Sequence, residues 1–533
     1  MAALIRLASL SQPSLLNSAS DKSSSFEIDS KTFVDRPLKA NPKVILKEFD
    51  KEFGKLPIDK IDVQKLVNFR KRFLVIKIDN PKQNSLIEVP HPFIVPGGRF
   101  REFYYWDAYW IVKGLIASDL FETHLLENGF SAPLFGFVPN GGRVYYLRRS
   151  QPPFLIPMVY EYYEATRDAK FIKENFNHLV KEYEFWVQKR AVKIKDKNGY
   201  EHSAYQYRTT SNVPRPESFL VDVEDALKIR EKDRQQFFQN VASAAESGWD
   251  FSSRWFRDRK QCKPLKQLIF YLTLRNMKKL FTTGNEKKTE EFEKKGRSAC
   301  KTLNAIFYNE TEKAWFDYNL RTRSHNVMFY SAAMMPLFTG CYTTLDYDKS
   351  AKVIDFMNQT LDYQKQKIQQ IDKNSDSNAI TRFNYPNGIP ASLKILDNNG
   401  TCLNGWPPLQ HIIIEGMRKS DNPDTQEMAF KLARKWILAN YKVYETTKKM
   451  WEKIDVTGAI PKPGVGGEYD VQDGFGWTNG VILDLLVNYY DRMTIADTEE
   501  KISSKPRISA ISCRSNIYRV DYNTIIIITL HAI

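Results

Sequence analysis

The sequence predicts a mainly α-helical fold with long functional loops, on three observations. Apolar residues recur at helical spacing in several stretches, and the long apolar–polar alternations of a sheet protein are missing. Gly, Pro and Asn crowd the segments between the helices. In chain order, residues 1–25 are Ser-rich, show no period and are expected to be disordered. Residues 26–496 are expected to form one body. Within it Lys181–Lys189 and Leu268–Phe281 read as helices, as does Glu427–Tyr441, where Ala429, Leu432, Ala433, Trp436 and Ile437 share a face. Gly480–Tyr490 carries Val481, Leu485 and Leu486 at the same spacing. Residues 497–533 mix Lys, Arg and Ser with the isolated run Ile525–Ile528 and read as an irregular tail outside the fold.

Composition narrows the function classes. The 533 residues hold 42 % hydrophobic and 26 % charged residues, ordinary for a chain with a sizeable core. The aromatic share of 13 % suits either a large core or stacking against the apolar faces of sugars. A formal net charge of +15 invites a nucleic-acid reading, but the basic residues sit in short groups such as Lys278-Lys279 and Lys294-Lys295, mixed with acids. They read as solvated helix surface, and no nucleic-acid partner is expected. The five cysteines contain no CxxC pair, and their wide spacing indicates no disulfide framework. The seven histidines show no HExxH or other metal-ligand spacing, so no metal site is expected. There is no P-loop and no GxGxxG, and no segment long enough to span a membrane. Arg6 breaks the apolar amino-terminal stretch, which makes it a poor signal peptide.

The loops carry the chemistry. Pro96-Gly-Gly-Arg99, Pro139-Asn-Gly-Gly-Arg143, Pro214-Arg-Pro-Glu-Ser218, Pro386-Asn-Gly388, Asn404-Gly-Trp-Pro-Pro408 and Gly466-Gly-Glu-Tyr469 each set Gly or Pro beside a hydrogen-bonding or stacking side chain. Gly and Pro fix the turn, and the neighbour presents its group. So many such loops spread over the body suggest convergence on one polar pocket. Asp250 lies between Trp249 and Phe251, where desolvation raises a carboxyl pKa and suits it to donate a proton. Ser252 and Ser253 equally allow a helix-capping Asp. Glu452 is followed by Lys453, the pattern of a solvated helix face. Glu468, after two glycines that let backbone approach a ligand, is locally the better acid. Arg99, Arg149 and Arg215 offer fixed, permanently charged donors beside Trp106, Asn140, Gln151 and Glu217.

At this point the residues resemble a known family. Pro96 to Asp107 closely resembles the first signature of the trehalases, glycoside hydrolase family 37, and Asp29 to Asp35 is similar to that family's N-terminal segment. Pro139 to Pro153, Arg215 to Ser218, Ala244 to Trp255 and Gly466 to Gly480 are also similar, in the family's order. The resemblance implies an all-α (α/α)6 toroid with long active-site loops, hydrolysis of α,α-trehalose to two glucose molecules by inversion, and no cofactor. It implies Asp250 as general acid and Glu452 as general base, displacing the local preference for Glu468, which matches a substrate-binding Glu. It further implies substrate contacts at Arg99, Trp106, Asp107, Asn140, Arg149, Ser150, Gln151, Arg215, Pro216, Glu217 and Gly248. Inversion would need room for a water between carboxyls about 6.5–9.5 Å apart.

Three departures stand out. Where the family's second signature reads Gln-Trp-Asp-Tyr-Pro-Asn-Gly-Trp, this chain has Asn399 to Trp406, keeping only Asn404-Gly405-Trp406. The Lys260–Gln267 loop lacks the family's acidic pattern, and Ile454 replaces a Tyr. These motivate an alternative, a catalytically weakened trehalose-binding paralogue; a hydrolase of another α-glucoside is a third reading. The family implies an extracellular or secreted protein; without a clear signal peptide, cytoplasmic is the alternative.

Overall fold

Helix periodicity in the sequence becomes a closed succession of helices packed against one another in the computed structural model. It describes residues 31, 35, 42–53, 85–89, 93–120, 135–250, 252–255, 286–341, 349–358, 385–392 and 404–493. The helices are α1 (Pro42–Phe53), α2 (Tyr105–Ala117), α3 (Leu155–Thr166), α4 (Ala169–Lys189), α5 (Phe219–Leu227) and α6 (Glu231–Glu246). They continue with α7 (Glu286–Thr302), α8 (Met335–Thr339), α9 (Pro407–Arg418), α10 (Pro423–Thr447) and α11 (Gly476–Asn488). Helix α2 packs on α3, α3 on α4, α5 on α6, α8 on α9, and α9 on both α10 and α11. Helix α11 then packs along α2, which closes the end of the body back onto its beginning.

That closure depends on two glycines. Gly114 of α2 and Gly480 of α11 face each other, and a Cβ on Gly480 would stand 1.8 Å from the Trp110 carbonyl oxygen. Only the missing side chain lets the two helix backbones approach this closely. Around the seam Trp110, Phe154, Trp436 and Val481 are fully buried in one continuous apolar core. Each such side chain stabilises the fold by about 2 kcal/mol through burial.

Two of the helical readings land inside longer elements, and Gly480–Tyr490 runs two residues past the end of α11. Lys181–Lys189 is the last part of α4, which starts at an Asp168 cap accepting from the Phe171 N–H at 3.0 Å. Glu427–Tyr441 lies within α10, started by Pro423 after Asn422, whose side chain caps Asp424 and Thr425 N–H. Its Ala429, Ala433 and Trp436 point into the core, while Leu432 and Ile437 are half-buried. Leu268–Phe281, residues 1–25, the 497–533 tail, the Lys260–Gln267 loop and residues 399–403 lie outside the described residues.

Short strands, which the sequence reading did not anticipate, occur between the helices. β1 (Ala191–Lys195) and β2 (Glu201–Tyr205) form a hairpin after α4. Two-residue pairs β3 (Tyr308–Asn309) with β4 (Ala314–Trp315) and β5 (Tyr318–Asn319) with β6 (Ser324–His325) follow α7. Strands this short leave no alternation to detect. The one that matters for the site is the three-stranded sheet of β7 (Asn404–Gly405), β8 (Ile454–Asp455) and β9 (Lys462–Pro463), with Asn404 opposite Asp455 and Gly405 opposite Ile454. It locks the Trp406 loop beside Glu452 and buries Ile454 in the core. The cysteine reading is also corrected: Cys300 at the end of α7 and Cys341 after α8 are disulfide-bonded, their Cα atoms 5.4 Å apart. Wide sequence spacing hid a pair that helix packing brings together.

Candidate active site

The loops named from the sequence converge. Arg99, Trp106, Asp107, Asn140, Arg149, Gln151, Arg215, Glu217, Gly248, Asp250, Glu452 and Glu468 all line one cavity of about 170 Å³. Ser150 and Pro216 do not line it. Ser150 is fully buried behind the wall, its N–H donating to Glu246 and its hydroxyl to the Val138 carbonyl. Pro216 opens the turn Pro216–Ser218 that presents Glu217 and Ser218.

One wall is built around arginines. Arg149 donates from Nε to Asn140 Oδ1 and from a terminal nitrogen to Glu217 Oε1, both at 2.5 Å. Glu217 Oε2 is buried without a hydrogen-bond partner, so it can accept from a ligand hydroxyl. Burial works to raise the Glu217 pKa, but Arg149 and Arg215 outweigh it and hold the carboxyl below its usual range. Arg215 grips Asp222 with a forked pair and reaches Glu468 Oε1 at 2.8 Å, while the Ser218 hydroxyl donates to Glu468 Oε2 at 2.8 Å. Asp250 stands on the same side, just past α6. Its own surface is exposed in the cavity, while the protein packed around it displaces much of its hydration. That desolvation pushes its pKa up to about 7, against the pull of Arg149 and Arg215, with Glu468 and Glu217 adding to the rise. Gly248, at φ +70°, makes the turn that delivers it; a Cβ there would come within 3.3 Å of both Trp106 and Pro152.

Another part of the lining is aromatic. Phe100, Tyr104, Tyr146, Trp406, Tyr469, Phe475 and Trp477 form it around Glu452. Glu452 and Lys453 are 1 % and 3 % exposed, which overturns the solvated-face reading of this Glu-Lys pair. Pairing of β8 with β7 turns both inward. Glu452 Oε1 accepts from the Tyr469 hydroxyl at 2.9 Å and Oε2 from the Gln472 N–H at 3.2 Å. Burial raises the Glu452 pKa, partly offset by Lys453, Tyr469, Gln472 and Arg99. Lys453 donates to the Gly466 carbonyl at 2.8 Å and lies 4.7 Å from the Trp406 ring. Asp107, at the start of α2, sits between the walls; burial first, then Glu452 and Asp250, push its pKa well up. Gln151 accepts from the Trp106 N–H at 2.9 Å and so ties the Pro96–Asp107 segment to the Pro139–Pro153 segment.

Several participants were not singled out. Lys453 and Tyr469 sit next to residues that were, and only their neighbours were weighed. Lys31, in the segment resembling the family's N-terminal motif, also lines the cavity and donates to the buried Glu102 at 2.6 Å. Glu102 in turn accepts from Arg143 at 2.9 Å and from the Tyr104 hydroxyl, which supports the aromatic wall from behind.

Away from the cavity, His411, Glu415 and Asp484 offer ligand atoms within 4.8 Å of one another. His411 and Glu415 are four apart on α9, a metal-ligand spacing that the sequence reading passed over. The charges are already met. Lys113 lies 2.9 Å from Asp484 and 3.2 Å from Glu161, and Arg418 and Lys419 lie 2.6 and 3.1 Å from Glu415. His411 Nε2 is 2.7 Å from Asp484. The cluster joins α2, α3, α9 and α11 as an ion network.

Comparison with known proteins bears on the family and the fold. The trehalase family model matches residues 64–490. A honeybee (Apis mellifera) trehalase is 35 % identical, over 88 % of this chain and 82 % of its own length. A human trehalase is 37 % identical, over 78 % and 70 % respectively. Among solved structures, neutral trehalase Nth1 from Saccharomyces cerevisiae superposes with a TM-score of 0.58 at 19 % identity, over 79 % of this chain and 76 % of that one. This last likeness shows the fold, a helical toroid. Among the described residues no helix is long and apolar enough to cross a membrane.

Proposed function

From the premise that this chain belongs to the trehalase family and hydrolyses trehalose, we propose that Asp250 is its general acid and Glu452 its general base. The observation that carries the assignment is their placement. Two carboxyls from distant loops line one cavity, and the one near Arg149 and Arg215 is pushed up to about 7. A carboxyl still protonated near neutral pH can donate; one facing it can hold and deprotonate a water.

In the reaction, a glucosyl C1–O bond breaks and its electron pair stays on the bridging oxygen, which takes the Asp250 proton. A water oxygen bonds to C1 from the opposite face as Glu452 takes one of its protons. One glucose keeps its α configuration and the other emerges as β. Arg149, Arg215, Glu217, Asn140, Gln151 and Glu468 would hold sugar hydroxyls, with the fixed donors oriented before substrate arrives. Trp106, Trp406 and Trp477 would pack against the sugars' apolar faces. Ser150 and Pro216 enter as supports behind Arg149 and Glu217 rather than as contacts.

Proton NMR of the first turnovers tests the reading. Equal α- and β-glucose at the earliest times is expected; α-glucose alone would mean retention and remove Glu452 as base. The same assay separates hydrolysis from trehalose binding without turnover. The Cys300–Cys341 bond supports the secreted placement over the cytoplasmic one. Cell fractionation with non-reducing peptide mapping checks it, and a reduced pair in the cytosol would reverse it.

A further inference from the structure

Glu452 does not stand free in its wall, and what holds it bears on how it works. Its backbone N–H donates to the Gln472 carbonyl at 2.9 Å and its Oε2 accepts the Gln472 N–H. The Gln472 side chain is itself fixed, accepting from the Arg99 N–H at 2.8 Å. The remaining oxygen, Oε1, meets the Tyr469 hydroxyl at 2.9 Å. The Tyr469 ring is held in turn. The Arg99 guanidinium lies 4.6 Å from its centroid, and the Phe100 ring meets it near-perpendicular at 5.3 Å.

We propose that Tyr469 is a positioning residue for the water-activating carboxylate: its hydroxyl sets the rotation of the Glu452 carboxylate and so selects the lone pair left for water. The proposal rests on the reading of Glu452 as general base. A carboxylate offers about four lone-pair sites. With one site on each oxygen taken by donors from a single loop, the plane of the group is fixed before water binds. Water then takes a defined direction towards C1 instead of a range of them.

The phenol remains a donor throughout. Burial and the charges of Glu452 and Asp250 push its pKa well above the usual range, against Arg99. The charged and titratable groups around Glu452 are Lys453 beside it, Arg99 and Tyr469 on the loops over it, and Asp107 on α2. Of these, Lys453, Tyr469 and Arg99 favour the ionised carboxylate. Losing the Tyr469 hydroxyl alone therefore leaves Glu452 easier to protonate as well as freer to rotate.

Tyr469 also lines the cavity, so a plain sugar contact is the competing role. Profiles of kcat/KM against pH for the wild type and Tyr469→Phe, with azide rescue of Glu452→Ala and of the double variant, separate the two. Azide bonds to C1 where water would, glucose leaves with the Asp250 proton, and β-glucosyl azide forms without any base. The expected result is an acid limb moved up by about one pH unit, an unmoved basic limb, and a loss carried by kcat rather than KM. The azide-rescued rate should be the same with Tyr or Phe at 469. An unmoved acid limb in folded Tyr469→Phe, or an azide-rescued rate that falls as far as the hydrolytic rate does, would overturn the proposal. Glu452→Ala that keeps near-normal turnover without azide would overturn the base assignment itself. If the Phe variant fails to fold, Tyr469→Leu is measured in the same way, with the same limb shift expected.

Discussion

Two clusters of desolvated carboxyls, one joining α2, α9 and α11 and one in the cavity, have pKa values shifted in opposite directions. In the ion network, Lys113, Arg418, Lys419 and His411 surround Asp484 and Glu415. Burial works to raise both pKa values, but the cations outweigh it and hold both carboxyls below their usual range. In the cavity, Asp107 and Glu452 are buried and Asp250 is exposed but desolvated by the protein around it; the cations nearby do not offset this, and all three are pushed up. The difference is the local balance of cation against carboxyl, since desolvation works to raise the pKa in both. A matched cluster holds helices together; an under-matched one leaves acids poised to exchange protons near neutral pH.

The largest effect that tests the comparison is on catalysis. Asp250→Asn and Glu452→Gln should each lower kcat by about a thousandfold or more while the fold persists. Steady-state kinetics beside thermal unfolding reads both. The stability change has a definite sign for Asp250. Its folded pKa of about 7 exceeds the ordinary 3.8, so the stability due to its protonation is complete below pH about 4 and is lost as pH rises through 7. The amide introduced by Asp250→Asn cannot ionise, so at pH 8 the variant should melt at or above the wild-type temperature. A variant that melted well below it would place Asp250 among structural carboxyls. Lys113→Met is the mirror experiment. It strips the cation shared by Asp484 and Glu161 and should cost about 3–5 kcal/mol in denaturant unfolding, with kcat of the folded protein roughly unchanged. A large loss of kcat at intact stability would erase the distinction between the clusters.

The pH profile sharpens the same contrast. Catalysis needs Asp250 protonated and Glu452 ionised. Activity should fall roughly tenfold per unit above pH about 7 as Asp250 loses its proton, and fall again on the acid side as Glu452 gains one. In Asp250→Asn the basic limb should vanish from whatever rate remains. A basic limb near 7 that survives in that variant would assign it to another group, with Asp107 the next to test.

How much of this was legible follows from where each signal resides. The helical class could be read because the apolar face of α10 repeats within its own residues, whereas Asp250 could be flagged but not chosen: Trp249 and Gly248 suit a site acid, and Ser252 and Ser253 equally suit a helix cap. The Arg-bearing loops could be read because turn chemistry is local. Glu452 could not be chosen from its own neighbours: the side-by-side Glu and Lys look solvated until β7, some fifty positions earlier, pairs with β8 and turns them inward. Family resemblance supplied what local physics could not. The ion network escaped for the same reason, since its members come from four helices and only the part from His411 to Lys419 is local in sequence. Ser150 and Pro216 show the converse limit. A motif records which residues travel together, but not which of them face the cavity and which brace the one that does.

The smallest predicted effect concerns the rim of the arginine wall. Glu468 is anchored by Arg215 and by the Ser218 hydroxyl, each at 2.8 Å. Ser218→Ala leaves the ion pair and removes a partly solvated hydrogen bond, worth about 0.5–1 kcal/mol. If Glu468 holds a sugar hydroxyl without entering the chemistry, the loss should appear as a KM raised about threefold with kcat and both pH limbs in place. Glu468 sits 2.8 Å from the Arg215 that also lowers the Asp250 pKa, so a shifted basic limb in Ser218→Ala would show that Glu468 tunes the acid instead of binding the substrate. The rim would then belong to the under-matched cluster, and that cluster would extend from the α2 floor to the mouth of the cavity.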